Sequence, residues 1–500
     1  MEHRRLIPLM VAVVGAASLG AEIAAARLLA PWFGASTIVW ANTIATVLLA
    51  LSAGYWYGGR LADRDPTVHG LARLLVLAAG LLAAVPFVAG PFLRVSVQAL
   101  DQVQAGAFVG SLIAVLVLIA VPVLVLGAAA PYAIRLSVNS VDEAGRVSGR
   151  LYAISTLGSL AGVFLSALLF IPLLGTRRTF IFFAVALACA ALPALGRRWL
   201  LAPAALAVLL VVPMGAVKTA GAARVVWEQE TEYQYARVLQ APDGERTLEL
   251  NEGQAIHSVY RPGTWLTGNY WDEALVLPLA ARRRPPRSIA ILGNAAGTVA
   301  RAYGHFFPST RIDGVEIDSQ LTDVGRRLFD LRAPHLALHT ADARPFLRQA
   351  HRRWDAILVD AYRQPYIPFY LTTREFFALV RDHLNPGGVV MVNVGHPVAS
   401  DTLEKVLTAT MRTAFGTVLR DPAEEVNTQL VGFAGHGSAA VLRSGAASRT
   451  FPATLRRTAD AAAARLAPGL GGGPVYTDDR APVEWLIDGS ILKVAAQGQR

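Results

Sequence analysis

Ile291-Leu292-Gly293-Asn294-Ala295-Ala296-Gly297-Thr298 closes one apolar run and opens a helix-forming one. Ser288–Leu292 before it reads as a strand. Small residues at a strand-to-helix turn let the main chain approach a nucleoside closely, and the new helix N-terminus offers free N–H groups. Taken alone, the turn fits a ligand-free connection as well as a binding loop. The strands that follow decide between the two. Arg311–Glu316 ends in Glu316-Ile317-Asp318, which puts Glu316 about 20 residues past the turn, where a carboxylate can accept both hydroxyl hydrogens of a ribose. Leu336–Thr340 is followed by Asp342-Ala343, an acid and a small residue able to flank an adenine. Asp355–Asp360 runs into Ala361-Tyr362. Three carboxylates at the C-terminal ends of successive strands favour a binding site over a set of helix caps.

Outward from this core, Val389–Val394 reads as a further strand, and amphipathic stretches such as Leu321–Phe329 and Thr372–Leu384 separate the strands. That alternation predicts an α/β, doubly wound, parallel sheet of Rossmann-like form. Asn385-Pro386-Gly387-Gly388 is expected to stop the helix before the last strand. Upstream, Tyr235–Gln240 and Arg246–Asn251 read as strands joined at Pro242-Asp243-Gly244, a small β-hairpin subdomain. The basic, proline-containing Ala281–Arg287 suits a linker. The expected domains are 1–216, 222–280, 281–436 and a weakly specified tail, 437–500.

The first of these domains differs in kind. Hydrophobic residues make up 54% of the 500 and charged residues 16%, where a soluble protein carries about a quarter charged. The mean hydropathy is +0.42, and nearly all of the charge deficit precedes residue 216. Runs long enough to cross a bilayer as helix lie at Leu6–Leu29, Ile38–Tyr57, Leu71–Phe92, Gly106–Gly127 and Leu151–Leu174. Shorter ones lie at Thr179–Leu195 and Trp199–Met214. An all-α transmembrane bundle of six or seven spans, with the lipid bilayer as partner, is therefore expected. Pro203 and Pro213 interrupt the last run, which favours six spans. The positive-inside rule sets the N-terminus in the cytoplasm, because Arg4, Arg5, Arg60, Arg64, Arg73, Arg135, Arg146, Arg150, Arg197 and Arg198 fall on one side and Arg94, Arg177 and Arg178 on the other; six spans then place the soluble domain there too. Glu22 lies mid-span, where a carboxylate is costly, and Arg27 is expected to snorkel. The net charge of +10 reads as topology and contact with anionic lipid rather than as a nucleic-acid-binding module. The lone Cys189 excludes an intrachain disulfide and a multi-cysteine metal site, and no metal is expected.

The C-terminal part, about residues 225–435, resembles the spermidine synthase (polyamine aminopropyltransferase) family. Tyr233-Gln234, the run Leu250-Asn251-Glu252-Gly253-Gln254, Tyr270, Asp272-Glu273 and Leu277-Pro278-Leu279 carry the likeness, followed by the glycine turn, Glu316-Ile317-Asp318, Asp342-Ala343 and Asp360. The whole chain resembles the bacterial form fused to a multi-pass membrane domain, including Gly58–Arg64 and Thr477–Pro482. Gly58–Arg64 is also similar to the loop between the second and third helices of major-facilitator transporters. The resemblance implies a domain of the S-adenosylmethionine-methyltransferase type with no permanently bound cofactor. It implies decarboxylated S-adenosylmethionine as co-substrate and putrescine or a related amine as acceptor. Glu316 would hold the ribose, Asp342 and Ala343 the adenine, and Gln234 the thioadenosine. Gly293 and Gly297 would shape the turn, and Asp360 would be the base.

Three departures bear on this. Ala296 stands where the family has an aspartate, Arg363 stands where it has a second acid after the catalytic one, and Tyr270-Trp271-Asp272 replaces tyrosine-histidine (or glutamine)-glutamate. The amine pocket is thus expected to have lost carboxylate and gained a guanidinium. An acidic pocket would favour aminopropyl transfer. A neutral one would favour a methyltransferase-like enzyme, or a transporter or sensor with a ligand-binding domain. A homo-oligomer is compatible with either.

Overall fold

The computed structural model describes residues 6–34, 37–103, 106–213, 215–218, 220–251, 255–362, 367–398, 400–487 and 489. The chain divides into two units. One is Met1–Thr219 with Glu228–Ala236 and Asn251–Gly253; the other is Ala220–Trp227, Arg237–Leu250 and Gln254–Arg500.

The first unit is helical: α1 (Ile7–Phe33), α2 (Thr37–Arg64), α3 (Val68–Val103), α4 (Gly106–Leu118), α5 (Ala120–Ser137) and α6 (Val141–Leu165). A π-helical turn, Ser166–Phe170, carries α6 into α7 (Ile171–Leu174), and α8 (Thr176–Leu195) and α9 (Leu201–Leu209) follow. Among the described residues, six helical stretches are long and apolar enough to cross a membrane: α1, α2, Val68–Val97 of α3, α5, Val141–Leu174 and α8. Five of the apolar runs in the sequence fall on α1, α2, α3, α6–α7 and α8.

One of the other two runs needs correction. Gly106–Gly127 is not one helix, because the chain breaks at Ile119. Pro122 has no N–H to give the Leu118 carbonyl, and its ring crowds that carbonyl. The membrane-length stretch is displaced to Ala120–Ser137. Trp199–Met214, the run that Pro203 and Pro213 interrupt, is not among the membrane-length stretches. It holds the end of a 3-10 turn, Arg197–Trp199, and the nine-residue α9, about 14 Å of helix against roughly 30 Å of hydrocarbon. Met214, like Arg4 and Arg5, lies outside the described residues. Gly58–Arg64 is not a loop but the last turns of α2. Arg27 does not simply snorkel: its guanidinium donates to the carbonyl of Glu232.

Small residues set the helix spacing. A β-carbon on Gly158 of α6 would lie 2.1 Å from the Ala12 carbonyl oxygen of α1, and one on Gly162 would lie 2.1 Å from that of Ala16. The two main chains therefore touch, as dispersion-driven packing in an apolar solvent favours.

β1 (Arg224–Glu230), β2 (Tyr235–Gln240), β3 (Arg246–Leu250) and β4 (Ile256–Tyr260) form a sheet in that order. The expected hairpin turn is present, with Gly244 at φ 88°; β1 and β4 are additional to the reading. The remaining elements are α10 (Leu279–Arg282), β5 (Ser288–Leu292), α11 (Thr298–Phe306), β6 (Arg311–Glu316), α12 (Ser319–Leu328), β7 (Leu336–Thr340), α13 (Ala343–Gln349), β8 (Trp354–Val359), α14 (Arg374–Asp382), β9 (Leu384–Gly395), α15 (Thr402–Met411), β10 (Thr417–Asp421), β11 (Asn427–Phe433), α16 (Ala439–Ala446), α17 (Arg456–Arg465) and β12 (Ala467–Pro468). Their sheet has the order β12-β10-β11-β9-β8-β5-β6-β7.

Strands β9, β8, β5, β6 and β7 are parallel, as the βα alternation requires. The expectation of a wholly parallel sheet fails beyond them, because β11 joins β9 antiparallel and β10 and β12 follow antiparallel. No helix separates β10 from β11, so the chain returns directly. Asn385–Gly388 does not end α14, which stops at Asp382. These residues begin β9 as an irregularity between the pairings Trp354–Leu384 and Ala356–Val389. The linker reading of Ala281–Arg287 also yields in part, since Ala281 and Arg282 belong to α10. The stretch read as weakly specified supplies α16, α17 and β12, and Leu442, Ala459 and Ala462 of its helices are fully buried in the same apolar cluster as Leu279 and Tyr303.

Replacing Gly158 by Leu should force α1 and α6 apart and lower the stability of the helical unit by about 2 kcal/mol or more. Denaturation of the detergent-solubilised chain measures it. Gly149→Leu, at a position of α6 with nothing within 4 Å of its β-carbon, should leave the midpoint unchanged.

Candidate functional site

The C-terminal ends of the parallel strands meet at the glycine turn. Leu292 accepts from the Asp360 N–H at 2.9 Å, and Val315 accepts from Gly293 N–H at 2.9 Å. Gly293 has φ 89°, and a β-carbon there would lie 2.4 Å from the Asp360 carbonyl oxygen. Only glycine fits, so this position is set by the crossing of β5 and β8. Gly297, at φ 90°, has Leu331 in the way of a β-carbon at 2.2 Å. Ala296 is fully buried and its N–H donates to Ser258 Oγ at 3.0 Å.

A cavity of about 550 Å³ opens over this turn, lined by Gly293, Asn294, Ala295, Ser258, Tyr270, Trp271, Asp360, Tyr362, Asn393, Glu424 and Asn427 among others. Asp360 lies in its wall. Asn393 Nδ2 donates to one carboxylate oxygen at 2.8 Å and the Tyr270 hydroxyl to the other at 3.2 Å. The Asn393 amide has one orientation open to it, because its oxygen accepts from Asn427 Nδ2 at 2.9 Å and Gln429 Nε2 at 3.0 Å. Burial pushes the Asp360 carboxyl up to about 6, against the opposing pull of the bonds from Asn393 and Tyr270. Burial and the Asp360 charge together hold the Tyr270 hydroxyl well above its ordinary value. The backbone N–H of Tyr270 donates at 2.7 Å to Glu424, a second carboxylate of the cavity. Among the described lining residues there is no lysine or arginine. Arg363, expected to bring a guanidinium into the pocket, lies outside the described residues. The described part of the cavity carries two carboxylates, Asp360 and Glu424, the latter on the connection between β10 and β11.

Glu316, Asp342 and Ala343 lie at the same sheet edge but are not among the cavity's lining residues. Glu316 accepts from Ala295 N–H at 2.8 Å and Asp318 N–H at 3.0 Å, tying the glycine turn to the start of α12. Burial pushes its carboxyl up to about 7, against the pull of those two N–H groups. Asp342 is a helix cap: it accepts from Arg344 N–H at 2.9 Å and from the Tyr370 hydroxyl at 2.6 Å. Ala343 is buried at the first position of α13. Gln234 precedes β2, its carbonyl accepting from Thr231, and is not among the lining residues. Glu252–Gln254 lie outside the described residues. Asp272 ties down its own loop, accepting from Thr267 and Gly268. Asn393, Glu424 and Asn294 escaped the reading of the sequence. Asn393 had a signal, an amide within the apolar run Val389–Val394. Asn294 is 5% exposed, and neither polar atom of its amide has a partner among the described residues.

Residues 273–423 match the family model described as the spermine/spermidine synthase domain. A probable polyamine aminopropyl transferase of Bifidobacterium longum is 35% identical over 295 residues, which cover 54% of this chain and 64% of that protein. A polyamine aminopropyltransferase of Vibrio vulnificus is 33% identical over 135 residues, covering 26% of this chain and 44% of that one. The chain thus spans less than two thirds of either relative. Among solved structures, a probable spermidine synthase from Corynebacterium glutamicum shares 22% identity, with a TM-score of 0.39, over 50% of this chain and 98% of its own.

A hydrogen bond to an ionised carboxylate favours that form. Asn393→Ala should therefore raise the Asp360 carboxyl by about one unit above its value of about 6, the equivalent of one charge-assisted bond. More of it is then protonated at pH 7. Infrared difference spectra of the carboxyl stretch across pH 5–8, with Asp360→Asn as the subtracted reference, read this directly.

Proposed function

We propose, on the premise that residues 273–423 are a spermine/spermidine synthase domain, that this chain is a membrane-bound polyamine aminopropyltransferase. It would transfer the aminopropyl group of decarboxylated S-adenosylmethionine to putrescine or a related diamine. The observation that carries the reading is the charge of the cavity, two carboxylates with no described lysine or arginine beside them, which suits a dication.

The strand order sets out the substrates. Asp360, Gly293, Glu316 and Asp342 follow the adjacent strands β8, β5, β6 and β7. At about 4.8 Å per strand they span roughly 14 Å, the length of an adenosyl group with an amine chain beyond it. Adenine would sit toward Asp342 and Ala343 and the ribose hydroxyls on Glu316, with the sulfonium over Gly293 and the acceptor amine at Asp360. An ammonium of the diamine gives a proton to Asp360. The freed nitrogen lone pair attacks the methylene carbon beside the sulfonium, and the carbon–sulfur bond breaks with its electrons retained by sulfur. Methylthioadenosine leaves neutral. Moving a proton from an amine near 10.4 to an ordinary carboxylate costs about 9 kcal/mol; a carboxyl at about 6 reduces this to about 6 kcal/mol. Burial of Asp360 thus serves the reaction.

The same proposal sets the helical unit in the cell membrane, crossed six times, with the α/β unit in the cytoplasm. The shortness of α9 supports an even number of crossings, and the arginine bias supports the side. An alkaline phosphatase fusion at the C-terminus should be inactive, and active enzyme there would overturn the placement.

Two measurements test the chemistry. Asp360→Asn should abolish methylthioadenosine formation from the decarboxylated donor and putrescine while calorimetry still detects donor binding; a variant retaining most of its turnover would remove Asp360 from the mechanism. At Glu316, ribose hydroxyls donating to the carboxylate lower its pKa from about 7, so methylthioadenosine binding at pH 7 should release up to about half a proton. The binding heat should then depend on the ionisation enthalpy of the buffer, and that dependence should vanish in Glu316→Gln.

A further inference from the structure

The parallel strands also share an N-terminal edge, opposite the one that carries Asp360. Ser288 pairs with Arg311 and Ile289 with Ala356, so the segments entering β5, β6 and β8 arrive side by side, about 5 Å apart. Each brings arginine. Pro285 and Pro286 stiffen the approach to β5, Thr310 Oγ1 donates to the Pro286 carbonyl at 2.8 Å, and Arg311 N–H donates to that of Arg287 at 2.9 Å. A cleft of about 370 Å³ results, lined by Arg282, Arg284, Arg287, Arg311, Arg352 and Arg353.

The carboxylates nearby do not neutralise it. Asp355, the cleft's one acid, accepts from Arg282 Nη1 at 2.6 Å, Asn385 Nδ2 at 2.9 Å and Arg287 N–H at 2.9 Å. The fully buried Asp313 is taken up by Arg352, His339 and Trp354. The side chains of Arg284, Arg287, Arg311 and Arg353 make no ion pair with any described residue. These arginines are exposed, and three chain segments bring them to one concavity, where like charges repel unless an anion sits among them. Guanidinium forks match phosphate oxygens two at a time.

We infer that this cleft at the N-terminal edge of the large sheet is a binding site for an anion bearing at least two phosphate charges, from a soluble phosphate compound or a lipid headgroup. It is independent of the amine chemistry at the opposite edge.

The test uses the full chain in phosphatidylcholine nanodiscs, titrated with inorganic pyrophosphate at fixed ionic strength. Wild type should bind at least tenfold more tightly than the double variant R311Q/R353Q, and pyrophosphate should raise the thermal midpoint of wild type alone. The double variant R456Q/R457Q, which removes the same charge from α17, should bind as wild type does. Equal binding by wild type and R311Q/R353Q, or equal weakening by the α17 variant, would overturn the site in favour of diffuse charge. So would the absence of binding in wild type. A circular dichroism spectrum of R311Q/R353Q matching wild type separates lost binding from lost fold. Repeating the titration in discs containing cardiolipin, whose headgroup carries two phosphates, identifies the source. A fall in pyrophosphate affinity supports the site with lipid headgroups as competing occupants; unchanged affinity supports it for soluble phosphate alone.

Discussion

The α/β unit turns on the contact between the ends of β5 and β8, where Gly293 lies against the main chain of Asp360 with no room for a β-carbon. Backbone packed this closely fixes the start of the turn and the root of the acid together. From that point the Asp360 side chain meets Asn393 and Tyr270, and Asn393 is in turn locked by Asn427 and Gln429. The acid is held in place by constraints passed through four elements, none of which would orient it alone.

Those constraints are electrostatic as well as steric. Burial disfavours the charged carboxylate and the bonds from Asn393 and Tyr270 favour it, leaving Asp360 at about 6. Glu316 sits in a similar balance at about 7, with two backbone N–H groups supplying the favourable part. Both carboxyls are pushed toward neutrality for the same reason: each is taken out of water, and its hydrogen-bond donors offset only part of that cost.

What the sequence made legible was whatever depends on local order. Gly293, Glu316 and Asp360 are visible because a strand, a turn and a helix follow one another in the chain, and their positions at strand ends survive any detail of packing. Asp342 is visible for the same reason, and it shows the limit of the argument, since it caps α13 as an acid at any helix start can. Glu424 was not legible. It lies between two strands, β10 and β11, whose antiparallel pairing departs from the alternation that precedes them, and it reaches the cavity because β11 pairs back onto β9. In the helical unit, hydropathy located the apolar stretches, but Pro122 decided where one helix breaks, a steric effect that a sliding average of hydropathy does not contain.

Tyr270 touches both acids of the cavity, Asp360 through its hydroxyl and Glu424 through its backbone N–H. In the proposed reaction this fixes how much positive charge the pocket can satisfy. A diamine arrives with two charges for two carboxylates. The donor adds a sulfonium and an aminopropyl ammonium, and transfer exchanges the sulfonium charge for a proton on Asp360. The triamine is then left facing Glu424 as the one ionised acid among the described lining residues, so the proton that Asp360 accepts also loosens the pocket's hold on what has been made.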